Sequence, residues 1–212
     1  MALTKVRGGA IDNPLTLGGG SASDNSIIFD GNAQDFHIGL DDSADSLTIG
    51  LGSTLGTTSH MVIDANGHIT KPLQSAFLAK LTNGINNVAV GSDYTLVCDN
   101  EVFDQNGDYD TSTGIFTAPV TGRYVFFFNT RVEALPTNIT WWQWSMTSSN
   151  NSNFILTSQQ FGSQIDYYGQ NQCMFLDMDA NDTTKMVFYQ NNGTQQVDIN
   201  NASTKFAGYL VC

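Results

Sequence analysis

The chain has 212 residues, 41 % hydrophobic and 11 % aromatic, enough to close a core of its own. Only 13 % are charged and Glu occurs twice, whereas exposed helix positions are normally filled by Glu, Lys and Arg; this excludes helical bundles and coiled coils and points to an all-β chain. A net charge of −12, with three cations against eight acids in residues 1–72 and five against twelve in 73–212, argues against nucleic acid as a partner and against an anionic membrane surface.

No segment approaches 18 consecutive apolar residues, so no membrane insertion is expected. Met1-Ala-Leu-Thr-Lys-Val-Arg7 is not followed by the apolar run of a secretory signal. Cys98, Cys173 and Cys212 are an odd set without close spacing and read as free thiols.

Residues 1–24, with Gly8-Gly9, Pro14 and Gly18-Gly-Gly20, read as an attachment arm. In residues 25–72 short apolar runs recur: Ile27-Ile28-Phe29, Phe36-His37-Ile38, Leu47-Thr48-Ile49, Met61-Val62-Ile63 and His68-Ile69. Between them lie turn clusters such as Asp30-Gly31-Asn32 and Asp64-Ala-Asn-Gly67, whose chemistry supplies the positive φ of tight connections. A segment this small does not close a core alone. It is therefore read as a β-rich stalk shared by several copies of the chain, the alternative being a subdomain packed on the second half. Lys71-Pro72 closes it.

Residues 73–212 carry longer strands, expected at 75–82, 94–98, 101–109, 113–118, 122–132, 138–148, 153–160, 170–178, 183–190 and 205–212. Tyr124-Val-Phe-Phe-Phe128 is apolar on both faces, which suits a strand held between its own sheet and a neighbour. Eight to ten strands without helical period imply a sandwich or jelly roll.

Enzymatic signatures are missing from the inventory. Gly18-Gly-Gly20 has no following Gly-Lys-Ser/Thr, there is no Gly-x-Ser-x-Gly elbow, and the three histidines, His37, His60 and His68, all lie in the thin first part. No catalytic residue and no cofactor is assigned. Asp104, Asn106 and Asp108 imitate a calcium loop but lack its sixth-position Gly and twelfth-position Glu; a polar turn is favoured, with calcium as the alternative. Trp141-Trp142-Gln143-Trp144 reads as sandwich filling on one face, the alternative being a sugar-stacking platform.

Several stretches carry a family resemblance: Ser75-Ala-Phe-Leu-Ala79, Phe103-Asp-Gln-Asn-Gly-Asp-Tyr-Asp110, Thr113-Gly-Ile-Phe-Thr-Ala-Pro-Val-Thr-Gly-Arg-Tyr-Val-Phe126, Met174-Phe-Leu-Asp-Met178, Met186-Val-Phe188 and Phe206-Ala-Gly-Tyr-Leu210. In these, residues 73–212 resemble the globular head of complement component one-q, a trimeric jelly roll of the tumour-necrosis-factor type. The loops depart from it in being acidic and Asn-rich, and the usual collagen stalk is absent. Met1-Ala-Leu-Thr-Lys-Val6 and Ser59-His-Met-Val-Ile-Asp-Ala-Asn-Gly-His-Ile69 resemble instead the stalks of bacteriophage fibres.

Together the resemblances imply an all-β virion fibre, on the exterior of a tail or capsid: attachment arm 1–24 bound to another virion protein, stalk 25–72, and a jelly-roll knob 73–212 assembled with two further copies. They imply a non-enzymatic role in host attachment, through a surface glycan or protein. A structural fibre or decoration without a receptor, and a secreted lectin-like ligand domain, are the alternatives. The resemblance places Phe77, Phe206 and Tyr209 toward the three-fold axis. It also sets connections 191–204, 161–169 and 133–137 at the far tip, with 149–152 and 179–182 at the base. The tip set supplies the receptor-binding candidates Asp166, Tyr167, Tyr168, Asn191, Asn192, Gln195, Gln196, Asn200 and Asn201, a mixture of amides and aromatics without cations that suits neutral or amino sugars.

Overall fold

The computed structural model describes residues 16–150, 153–159 and 161–212. Residues 1–15 of the expected arm, with the Met1–Val6 stretch, therefore lie outside the described residues, as do 151, 152 and 160. The chain divides into two compact units, Met1–Leu73 and Gln74–Cys212.

The first unit is a five-stranded antiparallel meander in chain order: β1 (Asn25–Phe29), β2 (Phe36–Asp41), β3 (Ser46–Leu51), β4 (Ser59–Ile63) and β5 (Ile69–Thr70). The strands fall on the apolar runs, and turn chemistry sets their ends. Asp64 Oδ1 accepts the N–H groups of Asn66 and His68, both at 2.9 Å, and Gly67 takes φ +86°. Register places Ile27, Ile38, Ile49 and Met61 in one row. Alternation therefore gives this face Phe29, Phe36, Leu40 and Leu47 as well. The opposite face is polar on its middle strands, where residues 52–58 cover it and His37, Asp41, Ser46 and Thr48 are buried; Ile28, 44 % exposed, and Val62 flank them on β1 and β4. His37 Nδ1 meets the Gly52 carbonyl at 2.9 Å. A side chain at Gly50 would strike the Thr58 carbonyl and the His37 ring, so glycine is what lets the covering segment approach.

The second unit is a jelly-roll sandwich. One sheet has six strands: β8 (Tyr94–Thr95), β10 (Tyr109–Asp110), β11 (Ile115–Thr117), β13 (Trp141–Ser148), β14 (Asn153–Gln159) and β16 (Thr183–Asn191). The other has seven: β6 (Ala76–Lys80), β7 (Ile85–Val88), β9 (Asn100–Asp104), β12 (Gly122–Leu135), β15 (Ile165–Met178), β17 (Val197–Ile199) and β18 (Lys205–Leu210). No helix occurs among the described residues. The sheets enclose an aromatic core in which Phe77 stacks on Tyr109 at 4.8 Å and on Phe116 at 5.3 Å, and meets Phe206 edge-on at 5.2 Å. Trp142 and Trp144 fill the other end of the core, so the indoles of that strand face are packing, not a platform. Trp141 points the other way and stacks on Tyr189 at 5.2 Å.

Two expectations are corrected here. Phe77 and Phe206 are each 1 % exposed inside their own sandwich and cannot face an axis between chains. Their strands carry large aromatics on the inner side because Gly208, between them and Phe126, leaves room for the rings to meet. Connections 133–137 and 161–169 are also shorter than expected. Strand β12 runs on to Leu135 and β15 starts at Ile165, paired from Leu135↔Ile165 to Gly122↔Met178. Asp166, Tyr167 and Tyr168 are thus strand residues. The β12–β15 ladder continues past Ala134, whose φ of +59° inserts a kink without ending the pairing. Strands β7 and β17 were not foreseen; Asn-rich segments carry little strand signal.

The unit's first and last residues meet, with Leu210 N–H donating to the Ser75 carbonyl at 3.0 Å and Arg123 N–H to that of Cys212 at 2.8 Å. At this end Asn181 N–H also bonds the Ala118 carbonyl and Ser149 Oγ the Asp182 carboxylate. At the opposite end Asn138 Nδ2 donates to Thr194 Oγ1 at 3.0 Å and Asn201 Nδ2 to the Thr82 carbonyl at 3.1 Å. Connection 191–204 thus lies at the end away from residue 75.

Candidate functional site

Alternation gives the seven-stranded sheet an inner face that fills the core and an outer face that takes no part in it. Register writes the outer face as rows. The first, nearest the chain ends, holds Ala76, Tyr209, Val125 and Phe175. The second holds Phe103, Leu78, Ala207, Phe127 and Cys173. The third is polar: Asn100, Lys80, Lys205, Asn129 and Asn171. Polarity therefore changes along the face, apolar toward the chain ends and polar toward the far end.

The large rings of the apolar rows are open, Phe127 by 45 %, Tyr209 by 44 % and Phe175 by 63 %, while Val125 between Tyr209 and Phe175 is only 2 % exposed. Two hollows lie on this face. One of about 420 Å³ is lined by Leu78, Phe127, Asn171, Cys173 and Ala207 among others. The other, about 430 Å³, sits beside Lys80, Lys205, Asn100 and Val102. Tyr209 is the sole member of the expected axial trio that stands here; sequence reasoning missed Phe127, Phe175, Phe103 and Leu78. The signal was present in the phase of the last strand, where Gly208 marks the crowded side and leaves Ala207 and Tyr209 to face out.

The far end gathers some of the receptor-binding candidates and uses others structurally. Tyr167 is 66 % exposed, with the Arg131 guanidinium 4.7 Å from its ring centre. Arg131 also donates from Nε and Nη2 to Glu133 Oε1 at 2.9 and 2.7 Å. A cation thus joins a set expected to have none, already neutralised by Glu133. Asp166, Asn192, Gln195 and Gln196 are exposed. Tyr168 is half-buried: its ring packs edge-on against Trp142 at 5.4 Å and against Phe161. Asn200 Oδ1 accepts the Ser203 N–H, and the Asn191 carbonyl accepts that of Thr140, so with Asn201 these hold the connection in shape.

Asp104, Asn106 and Asp108 do not converge on an ion. Asp104 Oδ1 accepts the N–H groups of Asn106 and Gly107, and Oδ2 that of Tyr109 at 2.8 Å, which is the chemistry of a polar turn. Among the described residues no three His, Cys, Asp or Glu side chains group to hold a metal. Burial, with Asp104 nearby, raises the Asp108 carboxyl above its ordinary range. Burial pushes the Cys98 thiol up to about 12, and its N–H donates to Tyr109 Oη at 3.0 Å, so it is an inert packing group. The face and the far end together offer apolar burial, stacking and hydrogen bonding.

The family model described as C1q domain matches residues 76–211, well over half of the chain and the whole sandwich. The chain belongs to the C1q domain family. Among solved structures, the globular domain of a zebrafish complement 1qA protein is similar at 19 % identity, covering 66 % of this chain and 98 % of that one, with a TM-score of 0.48. Murine APRIL is 9 % identical over 65 % of this chain and 99 % of its own, TM-score 0.48. The Eiger TNF of S. frugiperda is 13 % identical over 67 % and 94 %, TM-score 0.47. No curated protein matches the chain. C1q domains often form trimers and act generally as non-enzymatic ligand or binding domains. In this C1q domain the open outer face and the far-end connections are the surfaces available for such roles.

Proposed function

We propose that the protein is a non-enzymatic, homotrimeric virion fibre, in which the C1q domain assembles through the outer face of its seven-stranded sheet and presents its far end to a host-surface glycan. The observation that carries the reading is the open apolar pair of rows, with Phe103, Phe127, Phe175 and Tyr209 exposed on one sheet face. A soluble domain rarely leaves so contiguous an apolar patch uncovered unless a partner meets it. The uncharged character of these rows suits a second and third copy of an acidic chain better than a foreign charged partner.

The binding role is supported by the far-end set, where Tyr167 stands open on strand β15 beside Arg131, and Gln195 and Gln196 stand open in the connection before β17. Three copies there turn weak single contacts into useful avidity, about 10²–10⁴-fold over one site. The virion reading rests on residues 1–72 and their resemblance to fibre stalks.

The test has two arms. Antibodies raised against the purified protein are applied to phage particles, where labelling of a fibre supports the virion reading and bare particles overturn it. A glycan array is probed with the wild type and with Tyr167→Ala/Gln196→Ala. Retention of a sugar by the wild type and at least tenfold weaker retention by the variant support the binding role; an array bare of wild-type signal, or equal signals, removes it.

A further inference from the structure

The first unit is built with its polarity reversed. What the chain buries there is His37, Asp41, Ser46 and Thr48, while Ile27, Phe29, Phe36, Leu40, Leu47 and Ile49 stand open, Phe29 by 60 %. In a single-faced antiparallel sheet the apolar side normally packs and the polar side meets water. The register places no Asp, Glu, Lys or Arg on the apolar side of β1–β4, and the His60 ring, at the bulge of β4, meets Phe36 edge-on at 6.0 Å. Nothing described in this unit covers it, because the segment that folds over the sheet, residues 52–58, lies on the polar side.

The size of the face limits its occupant. Four strands of five or six residues, about 4.8 Å apart and about 17 Å long, with the two-residue β5 beside them, give a face of roughly 350 Å². A stable independent pair buries about 800 Å² on each partner. The patch is thus too small to hold a free partner firmly, but large enough to close when its partner is already held nearby. Another copy of this chain meets that condition: residues 71–73 join each first unit to a C1q domain, and assembly of three such domains raises the local concentration of the patch to about the millimolar range. Acidic turns at Asp30, Asp42 and Asp64 rim the face, and their mutual repulsion is screened beyond about 8 Å at physiological ionic strength.

We infer that the apolar faces of three first units pack against one another, forming a β core that no single chain possesses. The inference rests on the three-copy reading of the C1q domain and adds a second, separate interface to it. The core is apolar and dry, so the sheet's buried polar side is its solvent-side layer in the assembly.

The full chain, with exposed Cys173 and Cys212 replaced by Ser, carries either Ile49→Cys on the face or Ala65→Cys in an exposed turn; buried Cys98 stays. Maleimide labelling rates are compared, and light scattering gives the mass of each protein. The inference expects a three-chain mass and labelling at position 49 at least tenfold slower than at 65, with the difference abolished by adding Ile27→Lys and Ile38→Lys while the mass stays at three chains. A three-chain mass with equally fast labelling at both positions overturns the inference and leaves the C1q interface standing. A one-chain mass overturns both.

Discussion

Phe127 of β12 stacks on Tyr209 of β18 with ring centres 6.3 Å apart and planes 17° from parallel, yet each ring remains close to half exposed. Their chain neighbours behave differently: Phe126 and Phe206, one residue earlier on one strand and three earlier on the other, stack at 5.8 Å in full burial. The same two strands thus make two aromatic layers, one closed within the sandwich and one left open on the sheet's outer face. Such a pair contributes about 0.5–1.5 kcal/mol beyond its area, but the area itself is only partly removed from water in one chain.

This division predicts opposite results from two similar substitutions. Phe77→Ala opens a cavity among Tyr109, Phe116 and Phe206 and should cost about 3–5 kcal/mol of domain stability in a urea titration. Phe127→Ala removes a half-exposed ring, should cost a single chain less than about 1 kcal/mol, and should raise the concentration at which assemblies dissociate at least tenfold. Equal losses of domain stability for the two would contradict the layer assignment.

The acidic half-buried turn predicts a pH effect whose sign is fixed. Burial holds the Asp108 carboxyl above its ordinary 3.8, so the folded chain keeps this proton where the unfolded chain has released it. The folded state then binds more protons across that interval, and this group's contribution makes stability fall as pH rises from the unfolded value through the raised one. Asp108→Asn removes the effect. Its melting temperature should exceed the wild type's at pH 7, and the gain should shrink as pH is lowered to 3. A gain that grows toward low pH would show that the carboxylate is stabilised when charged.

Cysteine reactivity separates the faces. Cys98, with its thiol at about 12 and no exposure, should resist maleimide at pH 7.5 until the domain unfolds. Cys173 stands exposed on the second apolar row and Cys212 at the chain end. Dilution to dissociate assemblies should speed labelling of Cys173 at least tenfold and leave Cys212 unchanged, as followed by peptide mass spectrometry.

Much of this architecture is legible in the residues because local chemistry and burial agree there. The strands of the first unit follow its apolar runs, and Asp64 with Gly67 sets the turn before β5. The run Thr113–Phe126 marks the C1q domain, and Trp142 and Trp144 pack as a strand face should. What the sequence conceals is phase. Phe126, Phe127 and Phe128 are chemically equivalent, and only the register with Gly208 decides which meets the core; Phe77 and Phe206 were placed on the wrong side for that reason. The far-end site is blurred by a different cause. Asn, Gln and Thr dominate both strands and connections, so β17 and the start of β15 look like loops, and Tyr168 looks free when Trp142 and Phe161 hold it.

An interface between copies on the outer face of the seven-stranded sheet fixes the solution mass of the whole chain at micromolar concentration. Light scattering should return three times the 23.0 kDa chain mass for the wild type, and one chain mass for Phe127→Asp with its strand content intact by circular dichroism. A wild-type protein that stays at one chain mass, or a Phe127→Asp variant that still assembles, would contradict the account.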